Sequence, residues 1–374
     1  MPNPGFTRRQ FVGAAAFTAA MPAIASNSAT TTSVQVPRTA EAASGEATLI
    51  LRPTRVFKVK DRSHEKTESW IVSIAVQTPG PATLEPVALD VELARDDLVL
   101  RHAHYGAEAF AAMTYRSSFP PKLADGREPP TPLHWPLFLR LRHTEPVAFG
   151  TNRMTVSVAL KDEHGRAIAA RAIVPIETYV PSTSLVFPFK GKGVVLQAGA
   201  ANGGHRNRSG QFALDAMGVD AAWSVCAPGD GKKNSDYPGW RRDLIAPAAG
   251  VVVALRSDRP DQPVGDTSDP AYFAPEYRAL GGGDPGNHLV IDHGHGEFSM
   301  IAHFMAGTLR VAKGDRVAQG QVLGKLGHSG DTDAPHVHYQ LQSGPDWENA
   351  DALPCRFANV GEDTLDRGTY FEAR

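Results

Sequence analysis

A chain of 374 residues is long enough for about two domains. Its composition, 42% hydrophobic and 21% charged, is ordinary for a globular protein with a sizeable core. The 38 basic residues are dispersed and balanced by 40 acidic ones, giving a net charge of −2, which argues against a nucleic-acid partner.

The N-terminal segment has the features of an export signal. Residues 7–11, TRRQF, open an apolar run of small residues that ends at Ala-Ile-Ala, residues 23–25. This pattern predicts a twin-arginine signal peptide over residues 1–25 and a periplasmic location. The apolar run from residue 11 to residue 24 is shorter than the roughly 20 residues that span a bilayer, so we expect no stable membrane insertion.

The next region has the pattern of an accessory β domain. Residues 26–45 are small, polar and without periodicity, which predicts a flexible leader. Over residues 46–180, short apolar runs separated by turn residues predict a β-sandwich, for which an immunoglobulin-like arrangement is one option. The runs are ATLILRP, SWIVSIAVQ, LFLRLRH, RMTVSVALKD and RAIVPIETY. His102 and His104 could share one face of a strand, but no acidic partner accompanies them, and we interpret them as surface histidines.

A passage rich in Pro, Ser and Thr at residues 180–184 precedes a second β-rich region, assigned to residues 181–374. Two Gly- and Pro-rich stretches, 227–240 and 256–287, interrupt this region; loops of this length are usually disordered or part of a binding groove. Its apolar runs are GVVLQA, FALDAM, GVVVAL, NHLVIDHG, SMIAHF, QVLGKLG and HVHYQL. The sequence therefore predicts a mainly β protein.

The run APHVHYQL, residues 334–341, carries the strongest chemical signal. Side chains alternate between the faces of an extended strand, so His336 and His338 share one face. Asp215 in FALDAM and His303 in SMIAHF likewise interrupt apolar strands. Burying four such groups without partners is unfavourable, and a shared metal ion removes that penalty. Imidazole and carboxylate ligands suit zinc, whereas calcium and magnesium favour oxygen ligands.

Six segments in a fixed order carry a family resemblance: LDAMG, IAPAAGVVVAL, GNHLVIDHGHG, MIAHF, VAKGDRVAQGQVLGKLGHSG and APHVHYQL. With them, residues 185–345 resemble peptidase family M23, the lysostaphin-like or LytM-type zinc metallopeptidases. The resemblance implies a LytM-like β-sheet peptidase domain. It further implies that Asp215 and His338 bind zinc, and that His303 and His336 flank the attacking water.

The sequence departs from the common family pattern at one metal ligand. The family's first zinc histidine stands four residues before the aspartate, where this chain has Gln211. Family members with a longer connection have an upstream histidine, and this resemblance assigns His205 as the third ligand. Glycine and small polar residues around His205 let the chain loop back toward the metal. The alternative is a loop histidine beside an incomplete site.

The resemblance implies a zinc-dependent endopeptidase that hydrolyses peptide cross-links of bacterial peptidoglycan with metal-activated water. The alternative is a catalytically inactive LytM-type protein that binds the cell wall and regulates an amidase; a peptidase acting on secreted protein is a weaker option. The sequence leaves open the bond cleaved, which of His303 and His336 is the base, and the oligomeric state. The first β region could position the peptidase region, bind substrate or cover its active site.

Several other polar residues have a structural interpretation. Cys226 and Cys355 could form a disulfide after export, but we favour two thiols because sequence does not show proximity. Asp331 and Asp333 could orient an imidazole or line a groove, but the GDTD segment at residues 330–333 is also a normal turn, which is the interpretation we favour. Four histidines in predicted loops or turns are interpreted as solvated, namely His288, His293, His295 and His328.

Overall fold

The computed structural model describes the chain from residue 47 to its end with several gaps. The described ranges are 47–52, 55–60, 66–77, 83–115, 137–199, 205, 209–226, 229–265, 283–361 and 365–374. The predicted signal peptide and leader lie outside these ranges. Strands dominate and form two nine-stranded sheets and a two-stranded one, so the predicted mainly β fold is confirmed. No helix within these ranges is long and apolar enough to cross a membrane.

The first sheet runs in the order β5-β4-β8-β9-β2-β3-β7-β6, with β1 paired to β3. Its pairings are antiparallel except for the parallel pair of β2 and β9, which joins two halves. Buried residues of both halves form one hydrophobic cluster, although an immunoglobulin-like sandwich stays a prediction. The elements are β1 (Thr48–Arg52), β2 (Val56–Lys60), β3 (Thr67–Gln77), β4 (Glu85–Arg95), β5 (Leu98–Gly106), helix α1 (Ala107–Ala112), β6 (Thr114–Tyr115), β7 (Leu137–Pro146), β8 (Arg153–Lys161) and β9 (Ala167–Thr178).

The second sheet runs in the order β16-β13-β14-β15-β18-β11-β10-β20, with β19 paired to β18. Strands β12 and β17 form the small two-stranded sheet beside it. The strands are β10 (Gly191–Gln197), β11 (Leu214–Gly218), β12 (Asp243–Ile245), β13 (Gly250–Arg256), β14 (His288–Asp292), β15 (Phe298–Ala302), β16 (Arg316–Val317), β17 (Val322–Lys325), β18 (Val337–Gln342), β19 (Ala352–Leu353) and β20 (Tyr370–Ala373). The proposed domain division at residue 180 falls between β9 and β10.

Strand β18 is the centre of the second sheet. All six of its residues are buried, and it lies between β15 and β11. The apolar residues of β18, Val337, Tyr339 and Leu341, belong to the main hydrophobic cluster, as the strand alternation predicts. The polar residues of β18 therefore lie on the opposite face of the sheet, between the side chains of β15 and β11.

One buried carboxylate, that of Glu297, binds the segment that connects the two sheets. Glu297, in the turn between β14 and β15, accepts hydrogen bonds from the Tyr179 hydroxyl at 2.6 Å and from the backbone N–H groups of Ser182 at 2.7 Å and Thr183 at 2.8 Å. Burial alone raises the pKa of Glu297, but the bonds from these three residues outweigh it and lower the pKa. The passage is thus fastened to the second sheet.

Replacing Glu297 with glutamine is expected to lower the free energy of unfolding by about 1–3 kcal/mol at pH 7, because an amide cannot accept all three bonds. The folded-state pKa lies below the ordinary 4.5, so the carboxylate stabilises the fold fully above pH 4.5 and less as the pH falls. Urea unfolding at pH 7 and in acid measures both effects. The exposed Glu372→Gln is the control and should change little; equal curves for both variants contradict the prediction.

Candidate metal centre

The structure brings three of the predicted site residues together on the polar face of the second sheet. Asp215 on β11 and His338 on β18 are direct cross-strand partners, which fixes their side chains on one face. His205 reaches them from the connection that precedes β11. One ligand atom from each of the three residues lies within 4.8 Å of the other two.

Asp215 is the centre of this cluster. Its Oδ1 lies 2.9 Å from His338 Nδ1, and its Oδ2 lies 3.0 Å from His205 Nε2. The rings of the two histidines meet edge to face, with centroids 4.6 Å apart. His205 Nε2 is buried and makes no hydrogen bond with any residue that the structure describes. A buried nitrogen that points at a carboxylate without a hydrogen-bond geometry is suited to a shared cation.

The ring nitrogen of His338 that faces away from Asp215 contacts Gln340, two residues further along the same strand. Its Nε2 lies 2.9 Å from Gln340 Oε1, and the Gln340 amide donates in turn to Gln342. Both ring nitrogens face oxygen acceptors, and the neutral tautomer that donates from Nε2 to Gln340 leaves Nδ1 free for a cation shared with Asp215. A hydrogen bond to the outer nitrogen fixes the orientation of an imidazole ligand, and sequence analysis assigned Gln340 no such role.

His303 and His336 stand beside the cluster, with ring centroids 4.7 Å apart. His303 Nδ1 donates to the Ser329 carbonyl at 2.7 Å, and His336 Nδ1 donates to the Ala334 carbonyl at 2.9 Å. Because carbonyl oxygens only accept, both rings keep the hydrogen on Nδ1 when neutral, and Nε2 is then the basic nitrogen. His336 Nε2 lies 3.7 Å from Asp215 Oδ1.

His303 differs from its predicted setting. The sequence places it within a continuous strand, but β15 ends at Ala302 and His303 has a left-handed backbone with φ +64°. Its position depends on Gly286, where an added Cβ would collide with the Ser329 carbonyl that accepts from His303. Gly286 itself has φ +62°, a conformation that glycine adopts without strain.

The charged groups of the centre influence one another strongly. Burial raises the pKa of Asp215, but His205 and His336 outweigh it and hold this pKa well below 3.8. Burial, reinforced by His336 and His338, lowers the pKa of His303 well below 6.5. Burial also acts to lower the pKa of His336, yet the Asp215 carboxylate outweighs it and raises this pKa. The two flanking histidines therefore have opposite protonation tendencies.

Gln211, at the position of the common family ligand, takes no part in the cluster. Its side chain is buried, and its Nε2 donates to the Ile71 carbonyl of the first sheet at 2.9 Å. The structure thus directs this side chain away from Asp215, four residues further along the chain.

His328 is buried, which corrects its interpretation as a solvated residue. Its Nδ1 lies 2.7 Å from Asn234 Oδ1 and its Nε2 lies 3.0 Å from the Thr332 carbonyl. Burial lowers its pKa to about 4, although both nitrogens face acceptors. The Thr332 hydroxyl donates to the Ala334 carbonyl and accepts from His336 Nδ1 at 2.8 Å. The GDTD turn thus orients His336 through its threonine, a role that sequence analysis missed.

Of the other three histidines predicted to be solvated, one is exposed and two are half-buried. His295 is exposed, as predicted. His288 and His293 are half-buried: His288 Nδ1 lies 2.9 Å from the Gly286 carbonyl, and His293 Nε2 lies 2.7 Å from Ser299 Oγ. The interpretation as solvated residues is therefore wrong for these two.

Two further sequence interpretations concern residues away from the centre. Cys226 and Cys355 lie in described residues and are both free thiols, so the disulfide hypothesis is wrong. Burial raises the pKa of the Cys355 thiol to about 12. His102 and His104 are half-exposed surface residues, as expected, but both contact Asp90 of the neighbouring strand, an acidic partner that the sequence did not reveal.

Asp215 and His338 on one antiparallel sheet, joined by His205 from the preceding connection, form a group that could hold a metal ion, and His303 and His336 lie beside it. Residues 241–351 match the family model described as Peptidase family M23, and this part of the chain belongs to that family. The matched range contains His303, His336 and His338, whereas His205 and Asp215 precede it.

Individual proteins are similar to this chain at low sequence identity. The chain is 28% identical over 136 residues to the peptidoglycan DD-endopeptidase ShyA of Vibrio cholerae serotype O1. The aligned residues cover 35% of this chain and 27% of that protein. The catalytic domain of the prophage-encoded M23 protein EnpA from Enterococcus faecalis is 19% identical, with 46% of this chain and 95% of that one covered and a TM-score of 0.28. A zinc-containing peptidase from Vibrio cholerae is 10% identical, with 81% and 85% covered and a TM-score of 0.26.

Proposed function

We propose that the chain is a zinc-dependent endopeptidase that hydrolyses the peptide cross-links of peptidoglycan. The observation that carries the proposal is the convergence of His205, Asp215 and His338 beside two further histidines. Membership of residues 241–351 in family M23 supports peptide hydrolysis, and the name of the Vibrio cholerae relative supports peptidoglycan as the substrate. Because the chain spans about a quarter of that relative's length, the substrate is a proposal for this protein.

The residues present fit zinc. Two imidazole nitrogens and one carboxylate form the three-ligand set of catalytic zinc sites, which leave a further position open. The buried His205 Nε2 lies 3.0 Å from Asp215 Oδ2 and makes no hydrogen bond with the described residues, so a cation shared with Asp215 would satisfy it. Calcium and magnesium favour shells of oxygen ligands, which this centre does not offer. His205, Asp215 and His338 would therefore hold the ion, with Gln340 orienting His338 from behind.

The flanking histidines supply the proton transfers of amide hydrolysis. When bound, zinc supplies a Lewis acid that polarises the scissile carbonyl and acidifies the attacking water. His303 and His336 each fix Nδ1–H on a backbone carbonyl, so each offers Nε2 as the nitrogen that accepts a proton. A ring that has accepted a proton can donate it to the developing oxyanion or to the leaving amine.

Metal content and product analysis test this proposal together. The mature protein should contain about one zinc per chain, and His338→Ala should abolish zinc binding because it removes a ligand. Mass analysis of products from purified cross-linked muropeptides should show cleavage by the wild-type protein and identify the bond. A metal-free protein that still binds peptidoglycan supports the inactive regulator instead, and cleavage of secreted proteins alone contradicts peptidoglycan as the substrate.

An extracytoplasmic location belongs to the same proposal, because peptidoglycan lies outside the cytoplasmic membrane. The TRRQF motif in residues 1–25 supports export by the twin-arginine pathway into the periplasm. Fractionation of cells that produce the full chain should recover the protein with periplasmic markers. Recovery in the cytoplasm of cells with an intact export system contradicts this location.

A further inference from the structure

The connection that carries His205 is attached to the first sheet as well as to the second. Within this connection the structure describes His205 and then residues 209–212, directly before β11. The Ser209 hydroxyl donates to the Trp347 carbonyl of the second region. Gln211 and Phe212 instead contact residues of the first sheet. The connection thus bridges the two sheets immediately before the chain reaches Asp215.

Gln211 contacts β3 at a residue that is paired with neither β1 nor β2 among the described residues. Strand β2 pairs with β3 as far as Ser69, and β1 pairs with it from Ser73 onward. Ile71 lies between these two stretches, and its carbonyl accepts the bond from Gln211 Nε2 at 2.9 Å. A buried carbonyl needs a donor, and the Gln211 side-chain amide supplies one here. Gln211 is only 6% exposed, so this hydrogen bond is shielded from water.

Aromatic packing holds the next residue of the connection. Phe57 lies on β2, yet it is 1% exposed and belongs to the main hydrophobic cluster of the second sheet. Its ring centroid lies 6.5 Å from that of Phe212 and 5.1 Å from that of Tyr179. Strand β2 thus packs against the residues that lead into β11.

The contacts of Gln211 and Phe212 lie on the same connection as His205, the one proposed ligand that is not close to a strand. Asp215 and His338 are fixed by the register of β11 and β18, whereas His205 lies on irregular chain ten residues before Asp215. We propose that Gln211 is a positioning residue: through its bond to Ile71, the first sheet fixes the connection so that His205 reaches the metal. This inference rests on the proposed zinc function, and it assigns the first sheet the role of shaping the metal site.

Substitution of Gln211 with methionine tests the inference, because methionine has a similar shape and no hydrogen-bond donor. The zinc affinity of the full mature chain, measured by competition with a chelating dye, is expected to fall about 10-fold, the lower end of the loss found when a direct partner of a ligand is removed, because Gln211 acts on His205 through the chain. Because the buried Ile71 carbonyl loses its donor, the metal-free variant should unfold at a modestly lower temperature but stay folded at the assay temperature. Gln211→Glu, an isostere that sets an acceptor against the Ile71 carbonyl, should weaken zinc binding at least as much.

Tyr179→Phe provides the matched control. It removes one hydrogen bond at the junction of the two sheets but lies outside the connection that carries His205. Its zinc affinity should equal that of the wild type. Equal losses of affinity in Tyr179→Phe and Gln211→Met would overturn the inference, since general loosening of the junction would then account for both.

A double-mutant cycle with His205→Ala separates positioning from general stability. If Gln211 acts through His205, adding Gln211→Met to His205→Ala causes no further loss of zinc affinity. The visible spectrum of the cobalt-substituted protein should change in Gln211→Met and resemble that of His205→Ala. A wild-type protein that binds zinc, with Gln211→Met binding equally tightly or the effect persisting without His205, overturns this inference alone. A wild-type protein that binds no zinc overturns the proposed function as well.

Discussion

Asp215→Asn is expected to weaken zinc binding at least about 100-fold and to abolish hydrolysis of cross-linked muropeptides at stoichiometric zinc. Structural zinc sites bind with about 10–16 kcal/mol, or roughly 3 kcal/mol for each of four ligands. Asp215 contributes more than an average ligand, because its carboxylate also contacts both histidine ligands, at 2.9 and 3.0 Å. Asparagine keeps the shape of the side chain but removes its charge. Dye competition and product analysis measure the two losses.

Asp333→Asn is the control for this prediction. Asp333 is exposed in the turn before β18 and acts on His336 only through its charge. Neutralising it should leave zinc affinity within about threefold of the wild-type value, because exposed charges interact weakly through water. If Asp215→Asn retains wild-type zinc affinity, Asp215 is not a ligand and the three-residue centre is wrong. If Asp333→Asn loses as much affinity as Asp215→Asn, a general effect of charge explains both results.

The strand alternation around the centre could be predicted from sequence because β18 is buried in the middle of a sheet. Its apolar residues face one large cluster, so the polar residues between them face the opposite side. The contact between His338 and Gln340 agrees with this alternation. The family resemblance grouped Asp215 with His338 as ligands, and the register of β11 with β18 brings the two residues opposite each other. Local periodicity and family order together were sufficient for these residues.

Residues on irregular chain could not be placed in this way. The run SMIAHF continues a strand pattern, but His303 leaves the strand because its backbone turns into a left-handed conformation. There its N–H bonds to Pro285 and its carbonyl accepts from Gly327. These partners are distant in sequence, and no period indicates them. His328 is a similar case, since its partner Asn234 lies 94 residues away.

The first sheet illustrates a different limit. Strand β4 was missed because charged residues interrupt its apolar ones, and of β5 the sequence indicated only that His102 and His104 could share one strand face. Strand β5 is the edge strand and β4 lies next to it; both expose part of their side chains to water, and this weakens the apolar signal. Their pairing brings Asp90 beside His104, a contact that depends entirely on register. The contact between Gln211 and Ile71 was equally hidden, because it joins residues 140 positions apart.

His303→Ala and His336→Ala are each expected to lower kcat about 10²- to 10⁴-fold while zinc binding stays near the wild-type level. Neither residue belongs to the group of three ligand atoms, so the ion keeps its ligands in both variants. Each loss removes an Nε2 that transfers a proton during amide hydrolysis, and a positioned general acid or base contributes a factor of this size. Steady-state hydrolysis of a cross-linked muropeptide, with zinc content measured on the same samples, checks both parts.

The pattern of losses separates the two functions considered for this fold. An endopeptidase requires both histidines in one reaction, so the double variant should lose little more activity than the more damaged single variant, because groups that act as a unit are not additive. His295→Ala, which removes an exposed histidine of the same region, should retain full activity. An inactive cell-wall-binding protein predicts instead that His303→Ala and His336→Ala bind peptidoglycan as the wild type does, with no hydrolysis in any variant. Retained hydrolysis in both single variants, with zinc bound, would show that neither Nε2 carries the proton, and the acid–base assignment would be wrong even though the metal centre stands.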